Sequence, residues 1–229
     1  MSLRVSPQVR APRRTHAERS AATQQHLIAT AIEVIQSRSL EEMSIHELAK
    51  SAGMTSGAVQ HHFESKAVLM MRVLSELIES GVQGGQLWPA ATLNARDRAH
   101  QFVQAAWALV YAQPRFIVAW NIYLGCRNQP DVLAHIAQLR QALHARMQEG
   151  FFEAFPELAD APDRTGFLGL VFSSLRGMGM LQLFSPAAER AVQAAQEAQL
   201  ACLADLIASR CERASAAPTA RVGRRRAGV

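Results

Sequence analysis

Residues 44–69 read SIHELAKSAGMTSGAVQHHFESKAVL and hold two apolar-periodic segments of barely two turns each, joined by Ala-Gly-Met. Neither segment is large enough to form a core. Ser44 and Glu47 have the S-x-x-E spacing of a capping box, in which side chains and orphan amides satisfy one another at a helix start. Ile45, Leu48 and Ala49 then fall on one apolar stripe. Gly53 stands where the chain must reverse, and glycine takes the left-handed conformation that ends a helix there. Thr55 is placed to cap a second helix, with Val59 and Phe63 facing inward and Gly57, Ala58, Gln60 and His61 facing out. Ser65 can cap a third helix whose first turn carries Lys66. A lysine there opposes the helix dipole, a placement that makes sense beside a phosphate.

Two short helices joined by a glycine turn, the second with a small and polar outer face, match the helix-turn-helix design. Its recognition helix enters a major groove about 12 Å wide. Gly57 and Ala58 permit close approach, and the Gln60 amide can pair with an adenine edge. The same spacing also describes an ordinary helical hairpin with a solvated face. Spacing alone leaves both readings open.

The wider run LIATAIEVIQSRSLEEMSIHELAKSAGMTSGAVQHHFESKAVLMMRVL resembles the TetR family of transcriptional regulators, over roughly residues 20–75. The resemblance implies that Ser44 and His46 on the second helix, and Thr55, Ser56, Gly57, Ala58, Gln60 and His61 on the third, meet operator DNA. It also implies that Lys66 contacts a phosphate. One departure stands out. The family usually has an aromatic residue, often tyrosine, where this chain has Gln60-His61, so no phenol hydroxyl is available for phosphate and the site preference should differ. His62, beside Phe63, is expected to be structural.

Composition bounds the rest. The formal net charge is +5, but Arg4, Arg10, Arg13, Arg14, Arg221, Arg224, Arg225 and Arg226 lie at the two ends. Without those eight, 16 basic side chains face 19 acidic ones, so the pI describes two tails rather than a basic body. Residues 1–16 and 213–229 are rich in Pro, Ala, Gly or Ser and are expected to be disordered basic arms. No apolar run reaches the ~18 residues of a membrane span, and the N-terminus has no secretory h-region, so a cytoplasmic location is expected. Cys126, Cys202 and Cys211 are scattered without metal-ligand spacing, which argues for reduced thiols.

Between the tails the periodicity is helical throughout, and an all-α fold follows. Helices are expected near 17–37, 44–51, 55–61, 65–85, 92–112, 114–126, 130–154, 164–184 and 187–212. Phe63 is the only aromatic before residue 80, and the other thirteen follow it. This shift divides the chain into a three-helix helix-turn-helix domain at 17–80 and a larger helical domain at 81–212.

In the larger domain Phe102, Trp107, Tyr111, Phe116, Trp120 and Tyr123 recur at helical spacing. They are either core or the apolar wall of a pocket between helices. The family resemblance implies a small-molecule effector cavity here, linked to the DNA-binding helices through the helix after Ser65 and a glycine hinge at Gly81-Gly84-Gly85. Farther on, Phe167, Val171, Leu175 and Met178 form one stripe, broken by Gly169, Gly177 and Gly179. Leu200, Leu203 and Ile207 form another. Burial within one chain or dimerisation would explain either stripe. The resemblance favours a homodimer through a four-helix interface.

Enzyme motifs are absent: there is no G-x-G-x-x-G, Walker loop, H-E-x-x-H or G-x-S-x-G. No cofactor or metal is implied. The function expected is a DNA-binding regulator, by family default a repressor released from a palindromic operator by a small apolar or amphipathic effector. An effector-independent DNA-binding protein and a thiol-based redox regulator remain as alternatives.

Overall fold

The computed structural model describes residues 15–38, 40–83, 87–184 and 190–216. The expected arms, with the arginines at both ends of the chain, and Gly84 and Gly85 of the expected hinge lie outside the described residues. Among the described residues every regular element is helical. These elements are α1 (His16–Ser37), α2 (Ile45–Ser51), α3 (Ser56–His62), α4 (Lys66–Gln83), α5 (Ala95–Ala106), α6 (Pro114–Gly125), α7 (Pro130–Ala154), α8 (Arg164–Leu181) and α9 (Arg190–Ala216). A π-helical turn, Trp107–Tyr111, extends α5, and a 3-10 turn, Pro156–Leu158, follows α7. The chain forms two compact units, Met1–Val73 and Leu74–Val229, divided within α4. No described helix is long and apolar enough to cross a membrane.

The first unit is held by an aliphatic core. Leu27, Ala31 and Ile35 of α1, Leu48 of α2, Val59 of α3 and Phe63 are all buried. Burying one such side chain is worth about 1.5–3 kcal/mol, so helices of seven residues persist by packing rather than by propensity. α1 begins with a complete capping box, in which Thr15 accepts from the Glu18 amide and the Glu18 carboxylate accepts from Thr15 N–H. At α2 the expected box is only half made. Ser44 Oγ accepts from the Glu47 amide at 3.1 Å, but the Glu47 carboxylate turns to Arg38 instead. A guanidinium offers a carboxylate a charge-assisted bond stronger than a lone amide does, and it wins.

The second unit is built around aromatic contacts. Trp88 stacks on Phe102, with ring centroids 5.4 Å apart and planes within 7°, and Phe151, Phe155 and Phe172 meet the same ring edge-on. Arg98, only 2% exposed, pairs with Glu157, donates to the carbonyl of Ala154 at 3.2 Å, and lies over the Phe155 ring. This buried charge ties the start of α5 to the end of α7. Asn94 caps α5 by accepting from the Asp97 amide at 2.9 Å, a start signal that sequence reasoning placed earlier.

Where α5 widens, Ala112 N–H reaches back to Trp107 O at 2.8 Å. The carbonyls left without helical partners at that end are met by side chains. Gln113 donates to Ala108 O, Arg115 to Leu109 O, and Gln182, from just beyond α8, to Tyr111 O at 2.7 Å.

The stripes expected to join two copies belong instead to this core. Val171, Leu175 and Ile207 are fully buried, Leu200 and Leu203 nearly so, and Phe167 and Met178 pack against them within the chain. The physical reason is proximity: the strongest apolar faces of α8 and α9 cover the aromatic cluster of their own unit. The opposite face of α8 is open. Leu170 and Leu181 are 52% and 55% exposed, and a Cβ added at Gly166, Gly169 or Gly177 would meet nothing within 4 Å. Gly179 differs, because a Cβ there would lie 2.7 Å from the Phe116 ring.

Gly150 is the tightest glycine described. A Cβ on it would lie 2.3 Å from the indole of Trp88, which Phe102 holds from the other side. Gly150→Ala should therefore destabilise the protein by about 1–3 kcal/mol through overpacking, despite the gain in helix propensity. Urea unfolding of this variant beside Gly57→Ala, without DNA, checks it. Gly57→Ala should be neutral or stabilising, since a Cβ there meets nothing within 4 Å, and equal effects from the two would refute the packing argument.

Candidate nucleic-acid interface

The reversal at Gly53 has φ +66°, in the left-handed region, and Met54 N–H returns to Ala49 O at 2.8 Å. Thr55 then caps α3, its hydroxyl accepting from the Ala58 amide at 3.2 Å, and Ser65 likewise accepts from the Val68 amide. α1 braces this turn: His26 Nε2 lies 3.4 Å from Ala52 O. With Val59 buried and Phe63 buried behind it, the rest of α3 is directed outward.

Each residue expected to meet DNA can now be placed. Ser44, His46, Thr55, Gly57, Gln60 and His61 are exposed, and Ser56 and Ala58 are half-buried on the same short helix. A Cβ at Gly57 would meet nothing within 4 Å, so the packing of this chain does not require a glycine there. A glycine inside a helix costs about 1 kcal/mol relative to alanine. His62 is half-buried with its ring edge-on to His61, centroids 5.4 Å apart.

Lys66 stands differently from the expectation. Its Nζ donates to Leu40 O at 2.8 Å and the side chain is half-buried, so it ties the loop before α2 to the start of α4. Arg38, which sequence reasoning passed over, is engaged as well, through Glu47. An internal acceptor twenty-six residues away in sequence leaves no local signal.

The six aromatics expected to line a pocket fall into two groups. Phe102 is fully buried in the stacked cluster with Trp88. Tyr111, Phe116, Trp120 and Tyr123 form a separate row, each ring edge-on to the next at 5.3 to 6.4 Å. Trp107 is buried one turn before Tyr111. Burial pushes the Tyr111 phenol up to about 12, with the Arg176 charge acting in the opposite sense. An open cleft of about 390 Å³ lies elsewhere, lined by Leu87, Trp88, Pro89, Ala90, Leu93 and Gln101, and contains none of the six.

The thiols give a redox reading little support. Burial, then the Glu157 charge, pushes Cys211 up to about 11, and a thiol that stays protonated is a poor nucleophile. Cys126 is buried, and Cys202 is exposed on α9.

Comparison with known proteins agrees with this geometry. The profile of the family described as bacterial regulatory proteins, tetR family, matches residues 27–73, which span the second half of α1, all of α2 and α3, and the start of α4. The HTH-type transcriptional regulator CymR of Pseudomonas putida is 24% identical over 179 residues, covering 78% of this chain and 88% of its own. Among solved structures, a protein assigned to the TetR family from Mesorhizobium loti superposes with a TM-score of 0.65 at 18% identity, covering 83% of this chain and 97% of its own. A regulator from Saccharomonospora viridis, crystallised with choline, gives a TM-score of 0.61 at 16% identity, with 82% and 96% covered. Residues 27–73 thus carry the helix-turn-helix DNA-binding domain of the bacterial tetR-family regulatory proteins, and the all-helical fold of the whole is the one shared by these transcriptional regulators.

Proposed function

We propose that this regulator is a homodimeric repressor that reads a palindromic operator with α2 and α3 of each copy and leaves it when a small apolar or amphipathic effector binds the larger unit. The observation that carries the DNA-reading part is the outward face of α3, where Gly57 has no internal reason to be glycine and Gln60 and His61 are exposed beside it. The row Tyr111–Phe116–Trp120–Tyr123 supports an effector site, since buried Tyr111 and half-buried Phe116, Trp120 and Tyr123, beside the side chains that cap a widened helix, offer apolar walls with a few polar anchors. Choline in a structural neighbour fits an effector of that size. α4 runs from one unit into the other, and in the larger unit Ser75 Oγ lies 3.1 Å from His135 Nε2 of α7. An effector that moved α7 would therefore act on α4 directly.

The pairing surface of a dimer is best read from the open face of α8. Leu170, Ser173, Gly177 and Leu181 follow one another at helical spacing and are all exposed. The glycines admit a second helix at short range, and Cys202 and Leu206 are exposed on α9.

The readout residues separate in a binding assay. Gln60→Ala should lose about 1–3 kcal/mol of discrimination at one base pair while other positions keep theirs. Lys66→Met should lower the thermal stability of the helix-turn-helix unit, because a charge-assisted bond to a carbonyl is worth about 1.5–3 kcal/mol. Salt titrations and melting curves on both variants decide their roles. A Lys66→Met protein of unchanged stability whose salt slope falls by about one would make Lys66 a phosphate ligand instead.

The α8 face is tested by charge. Leu170→Arg should yield a folded monomer in sedimentation, since the side chain is already half-exposed, and half of the two-fold contact with DNA should go with it. Leu175→Arg, which buries an unpaired charge in the core, should fail to fold. A Leu170→Arg protein that stays dimeric would remove this face from consideration.

The division of labour is tested at Trp120. Trp120→Ala should alter the effector response and leave effector-free operator affinity within a few tenths of a kcal/mol, because distant sites act additively. Operator release measured across an effector panel reports both quantities. Operator binding that falls as far as in Gln60→Ala, without unfolding, would overturn the two-part arrangement.

A further inference from the structure

A protein that grips DNA draws most of its attraction from neutralised phosphates, yet beyond Arg4, Arg10, Arg13 and Arg14 at the start of the chain, the helices of this helix-turn-helix unit are poor in fixed positive charge. From residue 15 to residue 73 there are five Lys or Arg against six Asp or Glu. Two of the five are engaged internally, Arg38 with Glu47 and Lys66 with the Leu40 carbonyl. Of the chain's eight histidines, five lie in this same stretch: His16, His26, His46, His61 and His62. His46 and His61 are exposed, one on each helix of the motif, and both stand among the residues proposed to meet DNA.

Resting on that DNA-reading proposal, we infer that His46 and His61 are proton-dependent phosphate contacts, so that this protein takes up protons as it binds DNA and binds more tightly as the solution is acidified. Imidazole is the one side chain whose ordinary titration range lies between pH 5 and 8. A phosphate placed against a neutral imidazole favours its protonated form, and the proton comes from solvent. The sign follows. If the complex holds more protons than the separate partners, the binding constant rises as pH falls and levels off once the histidines are charged in the free protein too.

The surroundings are consistent with a charge that matters. The charged groups nearest His46 in the chain are Glu47, held by Arg38, exposed Lys50 on the same helix, and Glu41 and Glu42 in the preceding loop. Against His61 lies the ring of His62, and exposed Glu64 and Lys66, which is engaged with Leu40 O, follow it in the chain.

The test needs no knowledge of the operator, because the phosphate contribution is independent of sequence. The full-length protein is titrated against a labelled mixed-sequence duplex of about 40 base pairs at pH 6 and pH 8, at several salt concentrations, with circular dichroism confirming equal helix content. Affinity at pH 6 should exceed that at pH 8 by about tenfold or more, with a steeper salt dependence. The H46Q/H61Q protein should give a ratio near one, whatever its absolute affinity. Binding that is intact but independent of pH would overturn the inference and leave the DNA-reading proposal standing. An undiminished ratio in H46Q/H61Q would place the protons elsewhere and overturn the assignment. A folded protein that binds no duplex at either pH would remove both.

Discussion

The reversal at Gly53 is the constraint on which the DNA-binding unit depends. With φ at +66°, a side chain there would be strained even though space around it is open. The turn is short, so α2 and α3 cannot choose their relative angle independently. Thr55 fixes the start of α3, Val59 and Phe63 fix its rotation, and together they decide which residues are left outside. Gly57, Gln60 and His61 are outward because those three anchors leave them nowhere else to be.

The larger unit solves a different problem. Its aromatic cluster around Phe102 needs cover on several sides, and α8 and α9 supply it with their apolar stripes. Having done so, α8 retains a second face of leucine, serine and glycine that stays exposed among the described residues. Its glycines thus have two physical meanings. At Gly179 the absent side chain admits Phe116, whereas at Gly169 and Gly177 it leaves a surface on which a second helix could rest closely.

Charge is distributed in an equally divided way. The sequence is basic in total, but the stretch from residue 15 to residue 73 is not, and two of its cations act as internal ties. A tether such as Lys66 on Leu40 O stabilises the loop that presents Ser44, and it draws one of its N–H groups away from solvent. Five of the chain's eight histidines lie in the same stretch.

Much of this was legible from local spacing. The helix starts at Ser44, Thr55 and Ser65, the glycine turn, the inward Val59 and Phe63, and the all-helical class all follow from interactions within a few residues, which a linear sequence displays directly. What tertiary structure alone decided involves partners distant in the chain. Glu47 left its reciprocal cap for Arg38, and Lys66 found a carbonyl rather than standing open. Val171, Leu175, Leu200, Leu203 and Ile207 went to the interior of their own chain, and Phe102 parted from the Tyr111 row. Periodicity reveals that a helix has an apolar face. Which neighbour covers that face depends on packing in three dimensions, where helices distant in sequence compete for the same surface.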